Sequence, residues 1–327
     1  MRARPLTLLT ATVAVTLVVV AGGETNLAAK VSAKAATTAH NYSWYQPPIQ
    51  AQAQTQTQAQ PQPVELLLRA ISPTGAPAAM PNPGLTGVQD RIQRATDEAA
   101  ASGATLSVAV LDRATHQLVS NGNTQIIGTA SVAKLFIADD LLLHESEGKF
   151  TLSAEDRGAL DIMLQSSDDG AAERFWDQGG GDAIITQVAS RYGLAATTPP
   201  NDGRWWNTLS SVPDLIRYYD MLLNGSGGLP PERAGIIFDD LAQSTPNGDD
   251  GYPQRFGIPD GLYAEPVAVK QGWMCCVGSA WMHLSTGVIG SDHRYIMVVQ
   301  SLQTADDASA RQTITQAVKT IFPEGRI

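Results

Sequence analysis

Cysteine and basic side chains are scarce in this 327-residue sequence. Its two cysteines, Cys275 and Cys276, are adjacent, which excludes a disulfide framework and leaves no spacing for a zinc site. A strained bridge between the neighbours and two unlinked thiols both stay open as alternatives. Only 22 basic residues stand against 32 acidic ones, and the formal net charge is −10. This balance argues against a nucleic-acid partner, whose phosphates require clustered Lys and Arg.

Several patterns that carry known chemistry are also missing. There is neither a glycine-rich phosphate loop nor a G-x-S-x-G turn, which counts against nucleotide enzymes and α/β-hydrolases. His144, His283 and His293 are widely separated and lack the spacing of metal ligands. We therefore expect neither a metal nor another cofactor.

The N-terminal quarter does not have the composition of a folded domain. Residues 1–35 contain two early arginines and an apolar run from Leu6 to Ala21, which predicts a secretory signal, with an uncleaved membrane anchor as the alternative. No cysteine lies nearby, so lipid attachment through a processed N-terminal cysteine is excluded. We expect a protein that is secreted or held in the cell envelope, outside the cytoplasm.

Residues 36–85 are rich in Gln, Ala and Pro and predict a disordered linker, since they contain too little apolar surface to offset the entropy of ordering. Within them, the apolar stretch at 64–71 is either a docking helix or a frayed patch. The globular unit then covers residues 86–327, which is long enough for a sizeable core.

Helical and alternating patterns in residues 86–327 predict an α+β fold. The expected elements are a helix at 87–102, a hairpin at 105–122, a buried helix from Ser131 to His144, helices across 150–224, strands at 265–273, 279–290 and 293–302, and a helix at 306–322. This order predicts an antiparallel sheet flanked by helices, together with an all-helical lobe.

Ser131 and Lys134 lie one turn apart in the apolar segment GTASVAKLFIADDLLL. Residues i and i+3 share a helix face, so the amine is placed to take a proton from the hydroxyl if burial lowers its pKa. The pair by itself occurs often by chance. Two further clusters follow it in the sequence: Ser167-Asp168-Asp169 between helices, and Lys270-Gln271-Gly272 on a strand.

These three clusters, in this order, resemble the signatures S-x-x-K, S-D-N and K-T-G of class A β-lactamases, penicillin-binding proteins and D,D-peptidases. The resemblance extends from residue 87 to the C-terminus. It implies that Ser131 is a nucleophile that forms an acyl-enzyme and that Lys134 is its base. It also implies that Ser167 passes a proton to the leaving amine, while Lys270 binds a substrate carboxylate and biases the Ser167 hydroxyl.

The resemblance also implies a substrate-binding set. It consists of Asp169, Gln271, Gly272 and Trp273. The backbone N–H groups of Ser131 and Trp273 are expected to form an oxyanion hole, and Gly272 to leave room for substrate along the strand. Structural alternatives exist for three of the residues assigned by the resemblance: Ser167 as a helix cap, Lys270 as an edge-strand charge, and Trp273 as a packing residue.

Departures from the family pattern restrict the expected activity. Asp169 replaces an asparagine, so a group that donates and accepts becomes one that only accepts, and its charge favours the ammonium form of Lys134. Gln271 replaces a threonine. No glutamate lies between Glu173 and Glu232, where class A β-lactamases carry the residue that activates water, and the loop offers only Asp202. Fast β-lactam hydrolysis is therefore not expected.

Three functional hypotheses follow. The first is an exported serine acyl-hydrolase of the β-lactamase and D,D-peptidase type, whose partner is a peptidoglycan stem peptide or a β-lactam. The second is a weakly active or inactive module of the same fold that binds wall peptide or β-lactam. The third is an interaction domain on a stalk. Trp205 and Trp206 either line the cleft or pack against the domain.

Overall fold

The structure is a computed structural model and describes residues 85–327. The signal, the linker and the 64–71 stretch predicted above lie outside the described residues. Within residues 85–327 the helices are α1 (Val88–Ala101), α2 (Ala133–Ser146), α3 (Ala154–Gln165), α4 (Asp169–Gly179), α5 (Asp182–Tyr192), α6 (Val212–Asn224), α7 (Pro231–Ala242), α8 (Ile258–Gly261) and α9 (Asp307–Ile321). The strands are β1 (Ala104–Asp112), β2 (Gln117–Ser120), β3 (Ile127–Gly128), β4 (Leu209–Ser210), β5 (Val267–Val277), β6 (Ala280–Ile289) and β7 (Tyr295–Gln303).

Five strands form one antiparallel sheet in the order β2-β1-β7-β6-β5. This arrangement brings the N-terminal hairpin beside the last strand of the chain and leaves β5 at one edge. The short strands β3 and β4 form a separate pair. The predicted α+β class, with an antiparallel sheet covered by helices, is confirmed.

Each face of the sheet is covered by its own apolar core, because successive strand residues point to opposite sides. On one face, residues of α1, α8 and α9 pack together, including Ile92, Ile258 and Ile314, which are all at most 1% exposed. The other core continues into the helices α2 to α7 and includes the fully buried Phe136. This second core is the predicted helical lobe, joined to the sheet.

The central helix α2 is buried on nearly every side, as its mostly apolar sequence predicted. Twelve of its 14 residues are buried, including Leu135 and Ile137. A tight 3-10 turn, Ala130–Val132, precedes it, and Ser131 lies in that turn. The prediction that Ser131 begins the α-helix was wrong. Ala130 has φ of 45°, a left-handed conformation that turns the chain sharply before the helix begins.

Two helices were not predicted from the sequence. Helix α7 begins at Pro231 after Pro230, and α8 is a single short turn. None of the helices within residues 85–327 has the length and apolar character needed to cross a bilayer.

Candidate active site

The edge strand β5 packs directly against the turn that carries Ser131. The contact occurs at Gly272, where an added Cβ would lie 2.5 Å from the carbonyl oxygen of Thr129 and 3.4 Å from Ala130 Cβ. Only glycine permits this approach, since an L side chain would collide with backbone. The lack of a side chain at Gly272 thus allows the strand to lie beside the turn, a packing role different from the predicted space for substrate.

Ser131 and Lys134 are in direct contact. Lys134 Nζ lies 2.9 Å from Ser131 Oγ, and both residues are buried, at 8% and 0% exposure. The same amine donates to the carbonyl oxygen of Ser167 at 2.6 Å and to Asp169 Oδ1 at 2.6 Å. These three contacts use all three N–H bonds of an ammonium group. A neutral amine has two N–H bonds and one lone pair. It would donate to two of these three oxygen atoms and direct its lone pair to the third.

Ser167 links the two lysines. Its hydroxyl accepts a hydrogen bond from Lys270 Nζ at 2.7 Å and lies 3.4 Å from Lys134 Nζ. Ser167 has φ of 63°, an unusual conformation for a residue with a side chain, which occurs at strained and functional positions. The neighbouring Asp168 caps α4 instead, accepting from Ala171 N at 2.6 Å. The helix cap is therefore Asp168 and not Ser167.

Burial and neighbouring charge act in opposite directions on these amines. Loss of hydration lowers the pKa of the Lys134 ammonium, while the carboxylate of Asp169 raises it. Burial, followed by the positive charge of Lys134, holds the pKa of Lys270 well below its usual value, and Asp169 partly opposes this. Two amines this close cannot both be charged without mutual repulsion, so the arrangement favours at least one neutral amine.

The hydroxyls of Ser131 and Ser167 open into a cleft of about 260 Å³. Its lining residues are Ala130, Ser131, Ser167, Asp169, Trp205, Trp206, Asp249, Asp250, Trp273 and Met274. Three indole rings therefore border the reactive groups. Both alternatives for the tryptophan pair apply in part: Trp205 and Trp206 contact each other edge to face at 5.2 Å, and both also line the cleft.

Trp205 connects the buried amine to α4. Its ring lies 4.5 Å from Lys134 Nζ, a distance suited to a cation–π interaction. Its indole N–H donates to Glu173 Oε2 at 3.0 Å. Asp202 is the only acidic residue of the loop between α5 and α6 that precedes Trp205. It accepts hydrogen bonds from Arg204 N and Asn207 Nδ2, and it does not line the cleft.

The structure does not bring Gln271 to the cleft. Its side chain is 1% exposed and its amide nitrogen donates to the carbonyl oxygen of Phe256, on the opposite side of β5 from Lys270. The side chain of Lys270 also stays below the cleft surface, at 1% exposure, bound to Ser167. That position suits an effect on the Ser167 hydroxyl and not direct contact with a substrate carboxylate. Asp169 and Trp273 do line the cleft.

Asp249 and Asp250 are cleft residues that the sequence reasoning missed. They lie in the loop after α7, which is tied to the Ser167 turn through hydrogen bonds from Asp249 N to Ser166 O and from Thr245 N to Gln165 O. No signature marks this loop, because its place at the cleft arises from contacts with residues some 80 positions earlier in the chain. A local pattern could not have identified them.

Cys275 and Cys276 are free and exposed near the end of β5. They occupy an irregularity in the pairing of β5 with β6, and Cys276 has φ of 66°. Of the two alternatives from the sequence, the structure has the unlinked thiols.

Sequence comparison finds close relatives that match over their whole length. The chain is 73% identical over all 327 residues, with complete coverage on both sides, to proteins named "Putative lipoprotein LppW" from Mycobacterium tuberculosis and Mycobacterium bovis. The chain belongs to the LppW family. No family model matches the sequence.

Comparison of structures shows which fold this LppW family member has. A β-lactamase from Sphaerobacter thermophilus superposes with a TM-score of 0.59 at 14% identity, covering 72% of this chain and 97% of that one. A PBP-A mutant, solved as an acyl-enzyme complex with penicillin G, gives 0.58 at 19% identity, covering 73% and 96%. The fold is that of the class A β-lactamases and PBP-A, as the resemblance in the sequence implied.

Proposed function

We propose that this protein is an exported serine acyl-hydrolase of the β-lactamase and D,D-peptidase type. The observation that supports it most is the contact of 2.9 Å between Lys134 Nζ and Ser131 Oγ at the floor of an open cleft. Ser167 and Lys270 extend this pair into a chain of hydroxyl and amine groups, which is the arrangement that acyl transfer needs.

In the proposed first step, Ser131 Oγ attacks the carbonyl carbon of an ester or amide while its proton moves to neutral Lys134. The carbonyl oxygen becomes an oxyanion, bound by the backbone N–H groups of Ser131 and Trp273. When this intermediate collapses, the leaving group departs with a proton supplied through Ser167. That proton is the one that Lys134 took from Ser131; it returns from Lys134 Nζ across 3.4 Å to Ser167, while Lys270 holds the Ser167 hydroxyl in position at 2.7 Å. Water then attacks the acyl carbonyl and gives a proton to Lys134, which passes it to Ser131 Oγ as the acid is released.

The proposed substrates are D-Ala-D-Ala-like peptides, β-lactams and related esters. Hydrolysis of β-lactams is expected to be slow, since Glu173 is occupied by Trp205 and no other glutamate stands in the following loop. The test is turnover of a thioester substrate by the wild type, by Ser131→Ala and by Ser166→Ala as a matched control. Turnover that is lost only in Ser131→Ala supports the proposal, and equal turnover in all three contradicts it.

A second candidate is a binding module with little or no turnover, and the ion pair of Asp169 with Lys134 favours it. At 2.6 Å the carboxylate stabilises the ammonium form, which cannot accept a proton from Ser131. This module would bind penicillin or a stem peptide equally in the wild type and in Ser131→Ala. Sustained, rapid turnover by the wild type that is lost in Ser131→Ala would exclude it.

We also propose that residues 1–35 direct export and that residues 36–85 separate the signal from the folded unit at 86–327. The relatives are named lipoproteins, but in this chain no cysteine precedes Cys275. Envelope association would therefore depend on the N-terminal segment itself. Fusion of residues 1–85 to a reporter enzyme that is active only outside the cytoplasm tests this: an active reporter supports export, and an inactive but stable fusion contradicts it.

A further inference from the structure

The candidate cleft has amines at its floor and carboxylates at its rim. The two amines, Lys134 and Lys270, are buried, at 0% and 1% exposure. Asp169, Asp249 and Asp250, in contrast, are exposed and line the opening. A ligand that enters the cleft therefore meets carboxylates before it reaches Ser131.

The two rim carboxylates of the loop after α7 have no cationic partner among residues 85–327. Asp169 is paired with Lys134, but Asp249 and Asp250 form no ion pair with any described residue. Asp250 accepts only a backbone hydrogen bond, from Tyr252 N at 2.9 Å. Its charge still acts on Lys134, where it raises the pKa, so it lies close to the reactive groups.

Among residues 85–327, no exposed cation lines this acidic rim. Arg204 lies beside the cleft residue Trp206, with its guanidinium 5.8 Å from the Trp206 ring centre and 3.9 Å from Asp202 Oδ2. Arg204 is not a lining residue of the cleft. Even with both buried lysines charged, the three carboxylates leave the cleft negative.

The indoles of Trp206 and Trp273 complete the rim, while that of Trp205 is 2% exposed and lies deeper, beside Lys134. Aromatic faces bind ammonium groups through the ring quadrupole, and the ring of Trp205 already lies 4.5 Å from Lys134 Nζ. Trp206 and Trp273 line the same space. Carboxylates and indole rings together form the surroundings that an organic cation prefers and that an anion avoids.

We propose that the substrate class of this cleft is an acyl donor that carries an ammonium group near its scissile carbonyl, for example a peptide with a free amine on a side chain. This inference rests on the proposed acyl transfer at Ser131. Asp249 and Asp250 are then specificity-determining residues: they attract the ammonium group and disfavour a carboxylate at the same place.

The test uses three thiobenzyl esters that differ only at the end of one side chain. They are Nα-acyl derivatives of lysine, of Nε-acetyl-lysine and of 2-aminoadipate, and so carry an ammonium, a neutral amide and a carboxylate. We expect the lysine ester to acylate Ser131 about tenfold faster than the aminoadipate ester at low salt, the order given by one or two exposed charge pairs. This ratio should fall at about 0.5 M salt, because exposed charges are screened.

The double variant Asp249→Asn/Asp250→Asn should lose most of that ratio. The matched control, Asp90→Asn/Asp97→Asn on α1, removes the same charge away from the cleft and should keep it. An aminoadipate ester that reacts as fast as the lysine ester, or a ratio that the double variant retains, overturns the proposal.

A second measurement separates this inference from the proposed function. Binding of lysine amide and of 2-aminoadipate to Ser131→Ala, followed by tryptophan fluorescence, does not require acylation. If Ser131→Ala prefers lysine amide but no ester acylates the wild type, the proposed charge selectivity is supported and the proposed hydrolase activity is refuted. Acylation of the wild type with no preference in either assay would keep the hydrolase and refute the charge selectivity.

Discussion

Lys134 Nζ lies 2.6 Å from Asp169 Oδ1, although the lysine side chain is fully buried and the aspartate side chain is 76% exposed. The carboxylate raises the pKa of Lys134 against the larger lowering by burial. Asp169→Asn should therefore lower that pKa further and shift the rise of the acylation rate to lower pH. Rates of Ser131 labelling by a neutral fluorophosphonate, measured across pH, test this directly.

Asp177→Asn is the control for this shift, since Asp177 is exposed on the same helix α4 and makes neither a hydrogen bond nor an ion pair with Lys134. Its profile should match that of the wild type. A profile of Asp169→Asn that is unchanged, or displaced to higher pH, would show that the ion pair does not set the protonation of Lys134.

Gly272→Ala should disrupt the contact between β5 and the Ser131 turn. The new methyl would lie 2.5 Å from Thr129 O, a backbone atom that cannot move alone. We expect a loss of about 1–3 kcal/mol in the free energy of unfolding, typical of overpacking. Acylation should slow by more than about 100-fold, because the strand supplies one proposed oxyanion donor.

Gly158→Ala is the matched comparison. Gly158 lies in α3 with no atom within 4 Å of an added Cβ, so alanine should be neutral or stabilising by about 0.5–1 kcal/mol. Denaturant unfolding and the labelling rate are measured for both variants. Equal stability and equal rates for the two alanines would mean that the close approach at Gly272 has no structural role.

Local sequence patterns predicted much of the fold and less of the site. Continuous apolarity identified α2, and alternation identified the sheet strands, because both signals come from neighbouring residues. The turn at Ser131 was placed in the helix, since a 3-10 turn and an α-helix have similar patterns. The orientation of Gln271 and the arrival of Asp249 at the cleft depend on tertiary contacts, so neither could be predicted locally.

Asp140, buried in α2, should make stability depend on pH. Burial raises the pKa of its carboxyl to about 7, so between about pH 4 and pH 7 the folded state binds more protons than the unfolded state. The free energy of unfolding then falls as pH rises through this window. Asp140→Asn should remove this fall. The free energy of unfolding of the variant, relative to that of the wild type, should therefore be on the order of 3 kcal/mol higher at pH 8 than at pH 4.

Urea unfolding at pH 4, 6 and 8 measures this effect. His144, whose pKa burial lowers, lies with its Nδ1 at 3.5 Å from Asp140 Oδ2, so the difference between variant and wild type reports the titration of this pair. A difference that stays constant with pH, or that favours the wild type as pH rises, would contradict the prediction.

The free thiols should react without unfolding. Cys275 and Cys276 are both exposed, and contact with Cys276 raises the pKa of the Cys275 thiol. Iodoacetamide should therefore add two groups to the native protein, faster at higher pH because the thiolate is the nucleophile. Intact mass reports the number of adducts, and a native protein that takes none until it is reduced would instead contain a bridge.

Whether Ser131 is a nucleophile activated by Lys134 is tested most directly by the mass of the intact protein after incubation with a fluorophosphonate or a penicillin, followed by mapping of the adduct. One adduct, located on Ser131 in the wild type and in Ser166→Ala and absent from Ser131→Ala and Lys134→Met, is the predicted result. A folded wild-type protein that gains no adduct, or an adduct that persists in Ser131→Ala, would contradict it.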